Sequence, residues 1–139
     1  MQKFIIALPL ALMLAAPAVN SGVKEVALSE KDQAKFDKKI ANRTAGEPIS
    51  CINRFDQKNL TVIGDKYLVY GRSRNAKTIY VNEPRGGCRD ADSNSLITKR
   101  FSTNLCRGEI AEVKDLTTGI HYDSCAFGSF TPYTKSESQ

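Results

Sequence analysis

The residues of this chain best equipped for chemistry are four cysteines, Cys51, Cys88, Cys106 and Cys125, and its one histidine, His121. Successive cysteines lie 37, 18 and 19 residues apart. No C-x-x-C occurs, which argues against a thioredoxin-type redox pair and against a zinc knuckle. With a single histidine there is also little scope for mixed Cys/His ligation. An even number of cysteines in an oxidising compartment reads first as disulfides, here two; a four-cysteine metal site and a free reactive thiol are the alternatives. Four cysteines allow three connectivities, and spacing does not choose among them.

His121 lies in Gly119-Ile120-His121-Tyr122-Asp123, just after a turn. It is the sole ready general base near neutral pH. Asp123 is two positions on, so on a regular strand both side chains project from one face. A catalytic dyad is conceivable, but no nucleophile is identifiable by motif, and a surface histidine is the simpler reading. Asp90-Ala91-Asp92-Ser93-Asn94 has the alternating oxygen ligands that open a calcium loop. That loop needs Gly at its sixth position and Glu at its twelfth, where this chain has Ser95 and Phe101, so a plain polar loop is expected. Arg85-Gly86-Gly87 offers an anion-binding nest of backbone N–H groups, or an ordinary turn leading into Cys88. Asn42-Arg43-Thr44 and Asn59-Leu60-Thr61 match the glycosylation tripeptide, which matters only in a eukaryotic secretory pathway. No metal ion and no cofactor are expected, and no catalytic residue is assigned.

These residues need a compartment and a scaffold. Met1-Gln2-Lys3 is a short positive start, residues 4–16 carry no charge, and Ala16-Pro17-Ala18 is a small-x-small end. That is the pattern of a cleavable export signal, expected at 1–18. A membrane-spanning helix needs about 20 apolar residues, and Pro9 and Pro17 interrupt a run already too short. No later stretch is long enough either, so the mature chain is expected without a transmembrane segment. Removing 18 of 139 residues leaves 121, and loss of Lys3 takes the net charge from +5 to +4. One domain of modest core follows.

Residues 19–48 form an expected helical N-terminal segment. Ser29-Glu30-Lys31-Asp32 resembles a capping box, a helix is expected over 30–41, and Gly46 and Pro48 end it. Its apolar stripe is thin, so it is expected on the surface, loosely docked, or as a solvated arm. Residues 49–133 then change to short strand-like runs between turn residues. Strands are expected at 49–53, 60–63, 67–71 and 78–82. A turn centred on Arg74-Asn75 pairs Tyr70 with Ile79 and Leu68 with Val81, and both faces of that hairpin are apolar, which places it centrally in a sheet. A strand or helical turn at 96–101, a strand pair from 105–107 and 109–115, and a strand at 120–125 follow. Phe127, Phe130 and Tyr133 close the core, Pro132 ends it, and 134–139 are expected to be disordered. The expected fold is α+β: a helix, then a small antiparallel sheet curled into a barrel or sandwich and stapled by two disulfides.

The strand region carries Lys66, Arg72, Arg74, Lys77, Arg85, Arg89, Lys99, Arg100 and Arg107 among its cations. From 49 to 133 there are 12 Lys/Arg against 9 Asp/Glu, a balance of +3. Single-strand binders combine basic grooves with stacking aromatics, but +3 is weak for that task and the tyrosines are needed for the core. Nucleic acid is therefore not the expected partner; an anionic envelope surface is at least as good a fit.

Four motifs occur in order: Ala45-Gly46-Glu47-Pro48-Ile49-Ser50-Cys51-Ile52, Tyr80-Val81-Asn82-Glu83-Pro84-Arg85, Leu105-Cys106-Arg107-Gly108-Glu109-Ile110, and Phe127-Gly128-Ser129-Phe130-Thr131-Pro132-Tyr133. Together they resemble a family of small exported bacterial proteins classed as a domain of unknown function. The resemblance implies a periplasmic or secreted location and the pairing Cys51–Cys106 with Cys88–Cys125. It implies no activity. The function expected is a non-enzymatic exported domain that binds a protein or envelope partner, with two alternatives: a small hydrolase using His121 with a carboxylate, or a weak binder of polyanions.

Overall fold

The computed structural model of the chain describes residues 25–137; the expected export signal lies outside them. One helix, α1 (Glu30–Ile40), is followed by ten strands: β1 (Arg43–Ala45), β2 (Cys51–Ile52), β3 (Asn59–Ile63), β4 (Tyr67–Gly71), β5 (Thr78–Asn82), β6 (Ser95–Thr98), β7 (Leu105–Cys106), β8 (Ile110–Lys114), β9 (His121–Ala126) and β10 (Phe130–Lys135). The fold is α+β with antiparallel pairing throughout these strands. No closed barrel forms. The strands instead fall into a five-stranded sheet in the order β1-β10-β5-β4-β3, a three-stranded sheet β6-β8-β9, and a two-stranded ribbon β2-β7.

Helix α1 starts where the capping residues put it. The Ser29 hydroxyl accepts from the Asp32 N–H at 3.1 Å and donates to the Asp32 carboxylate at 2.7 Å, satisfying one of the orphan donors of the first turn. The helix stops before the expected Gly46 and Pro48. Asn42 turns the chain out at φ 58°, a left-handed conformation that asparagine tolerates better than most residues. No helix residue is fully buried, yet the helix is docked. The Phe36 ring stacks on Tyr67 with centroids 4.1 Å apart, and Ile40 packs with it on Ile63, Val69, Ile79 and Val81.

That cluster is one of two cores, and they lie on opposite faces of the five-stranded sheet. The second gathers Leu68, Tyr70 and Phe130 from the same sheet with Ala111, Val113 and Cys125 from the three-stranded sheet and Ile52 and Leu105 from the ribbon. Tyr70, Phe127 and Phe130 form its aromatic centre, with centroids 6.1 to 6.4 Å apart, a favourable spacing for ring pairs. The β4–β5 hairpin is thus internal and apolar on both faces, but its register differs by one residue from the expected one. Tyr70 pairs with Tyr80 and Val69 with Val81. Because a one-residue slip turns every side chain over, the register that holds is the one placing Val69, Val81 and Ile79 together under the helix.

Two boundaries and one pairing also differ. β1, from the segment expected to be only helical, is the outer strand of the five-stranded sheet, paired with β10 from Arg43↔Lys135 to Ala45↔Tyr133. β10 runs through Pro132 to Lys135, so Thr134 and Lys135, expected in a disordered tail, are strand residues. Pro132 is tolerated because its carbonyl, accepting from Gly46 N at 2.8 Å, faces β1; its missing N–H points the same way, past the end of the β1 ladder, so no bond to β5 is lost. β7 and β8 are not partners of each other: β7 pairs with β2, and β8 lies between β6 and β9.

Two disulfides hold these layers. Cys51–Cys106 ties the ribbon across its directly opposed residues. Cys88–Cys125 lies inside the second core, where both residues are almost fully buried. No free cysteine is present among the described residues. Nor is any helix among them long and apolar enough to cross a membrane.

Candidate anion-binding cleft

The side chains expected to carry chemistry do not converge. A bulge in β9 sets Val113 opposite Asp123 but Lys114 opposite His121, leaving Tyr122 unpaired. The bulge re-aims His121, as such irregularities do, and its Nε2 lies 2.9 Å from the Ser124 hydroxyl. Asp123 is engaged elsewhere, accepting from the Arg89 N–H at 2.8 Å and from the Ser124 N–H at 2.9 Å. The same-face dyad expected of a regular strand is not formed. Arg85-Gly86-Gly87 is a turn in which Gly87 N donates to Pro84 O and Cys88 N to Asp65 O, so its N–H groups do not converge on a shared anion. In the 90–94 loop, Asp90 N donates to the Asp65 carboxylate and the Asn94 amide to Asp90 O.

Of the cations named in the strand region, most are dispersed. Lys66 reaches Glu83 at 3.5 Å and Glu25 at 4.0 Å. Burial alone would lower its pKa, but Tyr67 and these two carboxylates outweigh that and raise it. Arg100 is bonded to Gln57 and Thr103 O, and Arg89 to Tyr122 O.

A different set does converge. The C-terminal half of α1, the start of β1, the middle of β3, the 72–77 loop and the end of β10 enclose a cleft of about 400 Å³. Its walls carry Lys35, Lys38, Lys39, Arg43, Arg74 and Lys135, its floor is Ala41, Thr61 and Ile63, and no carboxylate lines it. Lys35, Lys38 and Lys39 share a helix face through their i,i+3 and i,i+4 spacing. Two of them, Lys38 and Lys39, are in the last turn, where cations complement the helix dipole. That accounts for the helix lysines alone. Arg74 and Lys135 come from other elements and have no such reason to face them.

Arg43 builds the cleft. Its guanidinium donates to the carbonyls of Lys77 at 2.7 Å, Ala76 at 2.9 Å and Tyr133 at 3.3 Å, pinning the 72–77 loop against β1 and β10. Lys39 lies deepest, donating to the Thr61 hydroxyl at 3.3 Å. Partial burial, and then the charges of Arg43 and Arg74, hold the Lys39 ammonium below its usual 10.5. Lys35 has Asp32 at 3.6 Å beside it; the like charges of the other five are gathered without a lining carboxylate and favour an incoming anion. Among the lining residues there is no histidine, cysteine or carboxylate.

The helix contribution was legible in principle, since Lys31, Lys35, Lys38 and Lys39 recur at helical spacing. What the sequence does not reveal is that Arg43, Arg74 and Lys135 meet them, because that depends on β1 and β10 pairing side by side.

A second hollow, of about 610 Å³, lies between residues 25–28 and α1; its lining sets Glu25, Glu30 and Asp37 against Lys66 alone, so it is acidic where the first cleft is basic. Compared with known proteins, the chain matches no family model, no curated protein and no solved structure.

Proposed function

We propose that this chain is a non-enzymatic, exported binding domain that holds an anionic partner in the cleft between α1 and the 72–77 loop. The observation that carries this reading is the convergence of six cationic side chains from four parts of the chain with no lining carboxylate. Two disulfides suit an oxidising compartment. The export pattern of residues 1–18 and the four-motif resemblance to small exported bacterial proteins support the same location. The hydrolase alternative finds little support in an exposed His121 whose ring meets Ser124 and not Asp123.

The test uses heparin as a model polyanion. Retention should fall linearly with the logarithm of salt concentration, and each of Lys38→Gln, Lys39→Gln and Arg74→Gln should lower the salt slope by about 1. Arg85→Gln, outside the cleft, should leave it unchanged. Equal losses from Arg85→Gln and from the cleft variants would dispose of the cleft as the binding site. Hydrolysis of esters, glycans, peptides or nucleic acids that disappears with His121→Ala would overturn the non-enzymatic reading.

A further inference from the structure

A separate surface, at the end of the β2–β7 ribbon, carries two exposed aromatic rings on two loops. Residues 53–58 leave β2 immediately after Ile52, and residues 99–104 enter β7 immediately before Leu105; Ile52 and Leu105 are paired directly. Both loops therefore rise from the same point of the fold, behind the Cys51–Cys106 bond. Gln57 laces them together, its amide donating to Ile52 O at 3.1 Å and to Thr103 O at 3.2 Å, while Arg100 returns to Gln57 and Thr103 O. Phe101 is wholly exposed and Phe55 is 43 % exposed.

A ring left wholly in water gains nothing from the fold, and a loop secured at its base gives such a ring a fixed direction. Beside Phe101, Ile110 is half exposed, and Lys99 and Arg107 line the same shallow cavity of about 510 Å³. Around Phe55 stand Arg54, Lys58 and Arg72, their charged groups 4.7, 5.4 and 5.7 Å from the ring centroid. The carboxylates nearby are already engaged: Asp56 by Asn53 and Arg72, Glu109 by the Cys106 N–H, and Glu112 by Lys99 and Lys114.

Two projecting rings, Phe55 amid three cations and Phe101 beside Arg107 and carboxylates already engaged within the fold, match the layering of a bilayer surface, with acyl chains below and anionic headgroups above. They fit single-stranded nucleic acid less well. Stacking of successive bases needs several free aromatic faces, and here cations crowd the Phe55 ring, leaving Phe101 alone.

We infer that the paired loops 53–58 and 99–104 are a docking surface for an anionic phospholipid bilayer, with Phe101 entering the interface and Arg54, Lys58 and Arg107 meeting phosphates. This surface shares no lining residue with the basic cleft, so either can fail without the other.

The chain contains no tryptophan, which makes Phe101→Trp a unique local reporter in the full chain. With vesicles of equal parts phosphatidylcholine and phosphatidylglycerol, its emission should shift to the blue and be quenched by brominated acyl chains. Neither should happen with phosphatidylcholine alone, nor at about 1 M salt, where the screening length is about 3 Å. Leu116→Trp, at an exposed apolar position outside these loops, should stay unshifted. In the otherwise native chain, each of Arg54→Gln and Lys58→Gln should weaken partitioning about five-fold, and Phe101→Ser about ten-fold or more. An unshifted Phe101→Trp on anionic vesicles, an equal shift at Leu116→Trp, or a response to oligothymidylate in place of vesicles would each overturn the inference.

Discussion

Asn82 and Gly128 bond to each other in both directions: the Asn82 amide donates to Gly128 O at 2.7 Å, and Gly128 N donates to the Asn82 side-chain oxygen at 3.1 Å. Asn82 is completely buried at the end of β5, where it also reaches Ser129 O at 3.3 Å. Its side chain replaces a strand partner for the 127–129 corner between β9 and β10. The corner itself admits only glycine, since a Cβ at Gly128 would lie 2.5 Å from Glu83 O. Asn82→Ala should therefore cost about 1–3 kcal/mol, because it removes the partner of the half-buried Gly128 N–H and Gly128 and Ser129 carbonyls. Urea unfolding checks this; a cost as small as that of a typical exposed substitution would show that the pair is not structural.

The two disulfides close loops of similar length, with sequence separations of 55 and 37. In the chain-entropy accounting each is worth about 4 kcal/mol, so loop length does not rank them. Burial does. Cys88 and Cys125 are sealed in the second core, whereas Cys51 is exposed and Cys106 partly so. Mild reductant under native conditions should open Cys51–Cys106 first, read by alkylation and peptide mass. Replacing Cys88 and Cys125 together by alanine should cost more stability than replacing Cys51 and Cys106. Reduction of Cys88–Cys125 at an equal rate would contradict this picture of the core.

Lys39 makes the cleft sensitive to pH. In the free protein its pKa is lowered, first by partial burial and then by Arg43 and Arg74; a bound anion raises it again. The free cleft therefore releases this proton at lower pH than a bound one, and binding above that point takes a proton up. Affinity for inorganic sulfate, whose own charge is constant over this range, should be flat well below the lowered pKa and fall as pH rises toward 10.5, starting earlier than an ordinary lysine would dictate. Lys39→Gln should bind more weakly and lose that early fall. A wild-type profile that stays flat up to 10.5 would show that Lys39 does not meet the anion.

Much of this fold was readable in the residues. Ser29 and Asp32 mark the helix start, and the runs at 67–71 and 78–82 are strands with the ends that their turn residues predict. Two disulfides and a β-rich chain also follow from the cysteines and the short apolar runs. The hairpin register was not readable, because hydrophobic residues occupy both faces of β4 and β5 and alternation then carries no preference. Strand ends at β1 and β10 were missed because Arg43, Thr44, Thr134 and Lys135 look like loop residues; their pairing depends on partners about 90 residues away. The surface strand position of His121 was readable; its separation from Asp123 was not, since a bulge at Tyr122 has no marker in the local sequence. The basic cleft fell outside reach because its charges belong to four separate parts of the chain.

The β4–β5 hairpin has a core on each face, and this governs where the chain can accept change. Val69 and Val81 answer to the helix side, Leu68 and Tyr70 to the other, so any substitution there is judged by two neighbourhoods through one backbone. Mutational tolerance is thereby driven outward, to the exposed positions of the segments at 53–58, 72–77 and 99–104. Those segments carry the exposed rings and much of the positive charge. New binding preferences can therefore arise at the rim of this protein at little risk to its framework.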